Sequence, residues 1–555
     1  MGNKVPQEVL QLDPRDNVLV ALQNLRQGER ISFSDQTYVL ATDVHAKHKF
    51  ATADLAPGSD LIMYGVLVGK ARQPIRMAEA LTTRNTVHEA APYHEKSGEY
   101  HWNPPNVDRW RQRTFHGYQR LDGQVGTRNY WLVVPLVFCE NRNIDVLKQA
   151  FEEELGLAPP KIYRQQVAEL VRLYREGAVD AMETHTVEQN LPARPVFENR
   201  VFENIDGVKF LTHESGCGGT REDSNNLCGL LAGYIHHPNV AGVTVLSLGC
   251  QNAQMAILRE QIGQRDPAFK KTLLMFEQQQ SGSEFKMLSQ AIQATFLGLV
   301  QANKAVRAPA PLSNLCVGLK CGGSDGFSGI SANPAIGYVS DMLAALGGRT
   351  ILSEFPELCG VEQGLIDRSI NRAVADRFIQ LMRDYAARAK AVRSGFDMNP
   401  SPGNIRDGLV TDAMKSAGAA RKGGTSPVTG VLDYPEYSSG SGLHLQCTPG
   451  NDVECVTAQV GAGANVVLFT TGLGTPTGNP VAPVLKISTN SDLAGRMPDI
   501  IDVDTGSIIS GDKTIEQMGE TILEVVVQVA SGEVRTKAEL LGQEDFIPWK
   551  QGVSL

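Results

Sequence analysis

The chain has 555 residues, too many for one hydrophobic core, so two to four domains are expected. Hydrophobic residues make up 42% and charged residues 20%, ordinary for a soluble globular protein, while the formal net charge of -9 argues against a nucleic-acid partner and offers no basic tail for a membrane surface. No apolar run approaches the ~20 residues needed to span a bilayer, and the opening MGNKVPQEVLQLDPRDN has no apolar signal region, so a cytoplasmic protein with reduced thiols is expected.

Residues 1–95 read as short alternating strands joined by turns: VLVALQNL, RISFSDQTYVLA and HKFATADLAPGSDLIMYGVLVGKA. Leu61, Met63, Val66 and Val68 are read as one kinked strand around Gly65 and Gly69. Residues 96–113 are aromatic, charged and proline-containing without periodicity. They read as a linker lying on a surface, because Trp102 and Trp110 are poor candidates for full solvation. From residue 114 the pattern becomes α/β, with buried strands such as YWLVVPLVF and VAGVTVLSLGC alternating with helices such as DVLKQAFEEELG and QNAQMAILREQIG. Two α/β units of Rossmann-like type are expected, 114–260 and 261–555. The run from Val361 to Gly395 reads as helical throughout.

The chemistry concentrates in glycine-rich turns. Cys217, Cys250 and Cys321 each sit in one, THESGCGG, LSLGCQN and LKCGGSDG, and their shared setting suggests convergence on one site. Small buried residues at strand ends are the plainer alternative for each. With nine cysteines but no Cys-x-x-Cys pair, a structural zinc is not indicated. His213 and Asp325 bring polar groups to two of these turns. In GYQRLDGQVGTRNY, Arg120 or Arg128 could clamp a carboxylate, or an Arg–Asp pair could staple the turn. His48 lies between Lys47 and Lys49, where positive potential would meet an acidic substrate. The loop Gly472–Pro480 has threonine, asparagine and backbone N–H donors but neither a Walker nor a dinucleotide pattern.

These segments, taken in order, resemble the altronate and galactarate dehydratases. HKFA…YGVLVG resembles that family's SAF-type β-clip module. GYQRLDGQVGTRNY, THESGCGG, CGGSDGFSGISANPAIGYVSD, ILSEFPELCGVE, NPSPGN, KGGTSPV and TGLGTPTGNPVAPVLKISTN match the rest, more like the altronate branch. The resemblance implies loss of water from a linear sugar acid to give a 2-keto-3-deoxy acid. It implies divalent iron, mononuclear or as an iron–sulfur cluster, with manganese as a substitute. On that reading His48, His213 and Asp325 are the candidate acid–base groups, and Cys217, Cys250 and Cys321 the candidate metal ligands. Arg120, Arg128, Asn129, Ser324, Thr475, Asn479 and Lys486 are the candidate substrate contacts. Members of the family often end the SAF module with a histidine-rich run. Here the matching stretch is LTTRN, Leu81 to Asn85, with His88 three residues on. Galactarate, sulfolactate C–S cleavage and a non-catalytic sugar-acid binder are the alternatives, and a homodimer is the expected assembly if it is not a monomer.

Overall fold

The computed structural model describes residues 7–157, 162–185 and 200–554. Its first part is a small all-β module. Val18–Ala21 pairs with Val9–Leu10 and Lys49–Ala51, Arg30–Phe33 with Gln36–Val39, and Val66–Ala71 with Asp60–Met63 and Thr86–Val87. The single kinked strand expected across Leu61–Val68 is instead a hairpin. Tyr64 and Gly65 both take positive φ, 57° and 72°, the pair of left-handed residues that a tight hairpin turn needs to match strand twist.

Two parallel sheets follow. The first orders its strands Gly207–Phe210, Tyr130–Pro135, Val240–Ser247, Thr272–Glu277. The expected break at residue 260 is not a break in this sheet: Thr272–Glu277 pairs in register with Gly242–Ser247, and helix Glu284–Ala302 packs on both strands. Sequence periodicity cannot show which sheet a late strand joins. The second sheet has seven strands in the order Val428–Leu432, Gly442–Gln446, Arg349–Leu352, Cys316–Cys321, Val466–Thr471, Val484–Ser488, Val503–Asp504. An antiparallel ribbon of Val125–Gly126, Thr114–Gln119 and Arg307–Pro311 ties the two units together.

The helical run expected from Val361 to Gly395 is two helices, Glu362–Asp367 and Arg372–Ala391. Between them Ser369 bridges to Val428, and the Asn371 side chain accepts from the Val374 N–H to cap the second helix. The linker lies on the large body as expected, with Trp110 buried in its core and the Trp102 indole N–H donating to Thr425 Oγ1 at 3.2 Å. Among the described residues, no helix is long and apolar enough to cross a membrane.

Both sheets reverse their winding beside their first strand. In the seven-stranded sheet the reversal lies between Cys316–Cys321 and Val466–Thr471, and in the four-stranded sheet between Tyr130–Pro135 and Val240–Ser247. At such a point the two connections leave in opposite directions and open a crevice at the carboxyl ends of the strands.

Candidate active site

The crevice of the seven-stranded sheet opens into a cavity of about 800 Å³, within the range of small-molecule sites. Its floor is Cys321, Gly322 and Gly323 at the end of their strand, with Glu357 beyond Arg349–Leu352, Asn451 and Asp452 beyond Gly442–Gln446, and Leu473 beyond Val466–Thr471. Lys415, Asn399 and Asn404 also line it, as do Arg388 and Lys550.

Behind that floor runs a buried chain of charges. Lys320 and Glu354, both fully buried, form an ion pair, and Lys320 also reaches Asp452 at 2.9 Å. Lys422 lies 2.6 Å from Glu354 and 2.9 Å from Cys321 Sγ. Lys415 lies 2.8 Å from Glu357 and 3.0 Å from Asn399 Oδ1. Glu354 adopts a left-handed backbone, φ 71°, which costs a non-glycine residue about 1–3 kcal/mol and persists only where surrounding contacts enforce it. Here the two lysines hold its carboxylate, and its N–H donates to Thr448 Oγ1 at 3.0 Å. Burial alone would raise the Glu357 carboxyl, yet Lys415, Lys320 and Lys422 together hold it down to about 2. Burial pushes the Cys321 thiol up to about 11 against the pull of Lys422. Burial also opposes the charge of Lys415, but Glu357 and Cys321 raise it above the ordinary ammonium range.

The β module docks beside this cavity through the segment His45–Lys49. Lys47 inserts between Asp325 and Asp407, 3.0 Å from each, His48 Nε2 lies 2.9 Å from the Arg406 carbonyl, and Lys49 donates to the Gly408 carbonyl at 2.7 Å. A Cβ on Gly326 or Gly408 would lie 2.3 Å from the Lys47 carbonyl oxygen, so glycine at both positions admits the loop. Asp325 is wholly buried and saturated by Lys47, Ser328, Thr489, Asn490 and the Phe327 N–H. It acts as the socket of the docked module, and no oxygen is left for a proton-transfer role. Ser324, next to it, has a buried hydroxyl with no partner among the described residues. Thr475 Oγ1 lies 3.2 Å from where a Cβ on Gly323 would stand, at the edge of the cavity floor.

The expected convergence of Cys217, Cys250 and Cys321 is corrected by the topology. Cys321 belongs to the seven-stranded sheet, whereas Cys217 and Cys250 follow the two strands of the four-stranded sheet that flank Tyr130–Pro135. The third thiol on their side is Cys139, after Tyr130–Pro135, a residue the glycine-turn criterion passed over. Hydrogen bonds stitch the three loops: Phe138 N–H to the Ser215 carbonyl (3.1 Å), Ala253 N–H to Gly216 (3.0 Å) and Asn252 Nδ2 to the Cys217 carbonyl (2.8 Å). Burial raises the Cys139 thiol, and Cys217 and Cys250 add to the rise, as like charges do when close. The glycines here serve packing: a Cβ on Gly216, φ 100°, would lie 2.1 Å from the Leu136 carbonyl oxygen. His213 is buried, with Nε2 2.9 Å from the Pro135 carbonyl and Nδ1 accepting the Ser215 N–H at 3.1 Å. Burial lowers its imidazole to about 4, so it shapes the cysteine turn and has no nitrogen free to act as a base.

Five expected substrate contacts are braces elsewhere. Arg120 donates to the Pro238 and Arg128 carbonyls and to Asn129 Oδ1, at 2.6, 3.2 and 3.0 Å. Arg128 forms a two-pronged pair with Glu539, at 2.7 and 2.9 Å, and donates to the Thr127 and Val529 carbonyls. Asn129 donates to the Asn204 and Ala302 carbonyls. All three precede Tyr130–Pro135, at the amino end of its sheet, about 20 Å of strand from the loop that carries Cys139. Asn479 caps its own loop, accepting from the Val481 and Ala482 N–H groups and donating to Tyr234 Oη. Lys486 donates to the Thr477 carbonyl, and its ammonium lies 5.1 Å from the centroid of Phe469; burial lowers it to about 8. Every one of these groups already has protein partners.

The residues that do line the cavity, Glu357 and Lys415, lie in motifs noticed for other reasons, ILSEFPELCGVE and the helix leading into KGGTSPV. A lysine seven residues before another, Lys415 and Lys422, is the one available signal, since that spacing would place both on one face of a continuous helix; here Lys415 lies in the helix Asp412–Ala419 and Lys422 in the 3-10 turn that follows it.

Three family models together span the chain: the altronate/galactarate dehydratase SAF domain over residues 7–89, the D-galactarate dehydratase/altronate hydrolase second domain over 117–303, and the D-galactarate/altronate dehydratase C-terminal domain over 312–554. The chain is 34% identical to an altronate dehydratase of Escherichia coli (strain K12), covering 99% of this chain and 100% of the relative. It is 32% identical to an altronate dehydratase of Bacillus subtilis (strain 168), over 98% and 99% of the two chains. A galactarate dehydratase (L-threo-forming) of E. coli is 29% identical over 89% of this chain and 87% of its own length. The chain belongs to the altronate/galactarate dehydratase family and is a sugar-acid dehydratase, a hydro-lyase.

Proposed function

We propose that the chain dehydrates D-altronate to 2-dehydro-3-deoxy-D-gluconate in the cytoplasm, in the cavity at the carboxyl end of the seven-stranded sheet. The observation that carries the substrate is the full-length similarity to altronate dehydratases. A proton α to a carboxylate is barely acidic, so the reaction needs positive charge at that carboxylate, a base at C2 and an acid at the 3-hydroxyl. Lys415 supplies the charge. Its ammonium faces the cavity beside ionised Glu357. A substrate carboxylate that shares Lys415 weakens its hold on Glu357, whose proton affinity then rises where a base is wanted. Glu357 takes the C2 proton, the C3–O bond breaks, and the proton and hydroxide leave as water. The enol that remains becomes the 2-ketone.

Iron fits one of the two cysteine settings. Cys321, Glu354 and Glu357 offer ligand atoms within 4.8 Å of one another, but Lys320, Lys415 and Lys422 already balance them, which disfavours a further cation. Cys139, Cys217 and Cys250 have no ammonium partner of that kind: Gln279 Nε2, 3.3 Å from Cys250 Sγ, is the side-chain donor recorded there among the described residues. Three thiols are a soft set suited to iron, but their sulfurs do not gather within 4.8 Å of one another, so an iron–sulfur cluster, whose thiolates stand farther apart, fits them better than a single ion, and manganese is a poorer match. When bound, iron there supplies a Lewis acid for a carboxylate or hydroxyl oxygen. The small cavity beside Cys217 and the large cavity share Lys550, so the thiol loops and the substrate space adjoin.

Galactarate is the second reading, and one observation favours it. The loop Gly472–Pro480 has no cation, but Arg388 and Lys550 line the cavity besides Lys415 and add positive charge able to meet a second carboxylate. Anaerobic assays with Fe²⁺ and D-altronate, galactarate or sulfolactate, following the 2-keto product, decide among the three. Higher kcat/KM for D-altronate is expected; equal values for galactarate defeat the substrate assignment. Helix Glu284–Ala302 leaves Phe285, Phe296 and Leu297 exposed, which supports a homodimer, and sedimentation equilibrium tests it.

A further inference from the structure

Where the β module meets the large body, His88, Cys359 and Asp412 present a nitrogen, a sulfur and an oxygen within 4.8 Å of one another. Each comes from a different part of the chain: His88 from the end of the module, Cys359 from the turn after Phe355–Leu358, and Asp412 from the first turn of helix Asp412–Ala419. Asp412 is 1% exposed, and neither carboxylate oxygen accepts a hydrogen bond from a nitrogen or hydroxyl donor among the described residues; the Cys359 thiol is its polar neighbour. A buried carboxylate without a partner costs several kcal/mol, so such groups are protonated, paired or bound to a cation. The ammonium that acts on Asp412, Lys415, is itself held by Glu357 and Asn399. More negative charge surrounds the trio, from Glu362 and Asp397, which act on Cys359 and on His88 or Asp412.

We propose that His88, Cys359 and Asp412 form a binding site for one borderline divalent metal ion, Fe²⁺ or Zn²⁺ in class, with water in the fourth position. Imidazole, thiolate and carboxylate together suit neither a hard ion such as Mg²⁺ nor a purely soft one. The ion links the module to the two segments that carry Glu357 and Lys415, since Cys359 lies two residues after Glu357 and Asp412 three before Lys415. Metal occupancy therefore couples docking of the module to the shape of the cavity wall. The site is separate from the thiols Cys139, Cys217 and Cys250 and does not depend on which sugar acid is the substrate.

The test uses full-length protein stripped with chelator and titrated with Co²⁺, whose thiolate charge-transfer absorption reports a sulfur ligand. To silence the other thiol group, the titration is done in the C139S/C217S/C250S background. Stoichiometric Co²⁺ binding with a charge-transfer band is expected, the band lost in Cys359→Ser. Affinity should fall at least about tenfold in Asp412→Asn and in His88→Ala. Asp412→Asn preserves shape, so circular dichroism and Tm separate loss of metal from loss of fold. A band that survives Cys359→Ser, or no Co²⁺ uptake by the folded parent, overturns the proposal and leaves Asp412 a protonated acid beside the Cys359 thiol. Neither outcome bears on D-altronate turnover, which is assayed separately.

Discussion

Each parallel sheet turns at a switch point, but the four-stranded sheet presents Cys139, Cys217 and Cys250 on partly exposed loops, whereas the seven-stranded sheet buries Lys320, Glu354 and Lys422 beneath its cavity floor. The same geometry thus serves opposite electrostatics. Thiols near solvent can change protonation and ligand with little cost to the fold. Interlocked ammonium and carboxylate groups cannot, because removing one strands a buried charge. The comparison explains why the cysteines that look alike in sequence part company: Cys321 sits among charges and Cys217 among backbone turns.

The largest effect should come from the charged cavity. Glu357→Gln keeps shape and removes the proposed base, so kcat should fall by about 10²–10⁴-fold with KM little changed. Near-normal kcat in a folded variant would move the base elsewhere. Next in size is the docking socket. Asp325→Ala leaves Lys47 without its buried partner, and a loss of about 3–5 kcal/mol is expected in denaturant unfolding, with early release of the β module seen by limited proteolysis. An unchanged unfolding midpoint would mean that the contact with Asp407 alone secures Lys47.

Acid should separate the two ends of the four-stranded sheet. Burial lowers His213 to about 4, below the ordinary histidine value, so the unfolded chain takes up a proton before the folded one does. Its contribution is therefore complete above about pH 6.5 and is lost as pH falls toward 4, a change of order 3 kcal/mol. By contrast Glu539, which burial would raise but Arg128 holds at about 2, keeps its contribution until pH drops below the ordinary carboxylate range. Hydrogen exchange at pH 5 should show the loops around Cys217 opening before the Arg128–Glu539 brace, and simultaneous opening would contradict the order. The smallest effect on stability belongs to the thiols. Serine at Cys139, Cys217 or Cys250 should change unfolding by no more than about 1 kcal/mol while each lowers bound iron, whereas Cys321→Ser should leave iron content intact. Iron loss confined to Cys321→Ser would reverse the assignment.

Alternation and glycine placement in the sequence were enough to mark the β module, the buried parallel strands and the cysteine turns, because period and turn chemistry are local properties. They could not show that Thr272–Glu277 joins the earlier sheet, or that Val361–Gly395 breaks at Ser369, since both follow from pairing with distant strands. The candidate site divided the same way. His48 and Asp325 were singled out as polar residues and do lie together, yet as parts of a docking contact. Arg120, Arg128 and His213 have the right chemistry for a site but already meet carbonyls and carboxylates that only the fold brings to them. Glu357 carried no local mark, and the seven-residue spacing of Lys415 and Lys422 was a weak one, because a lysine in a helix reads as solvated surface. Tertiary structure alone decides that these three face inward, for burial and partner charge are properties of neighbours far along the chain, and those neighbours set each group's proton affinity.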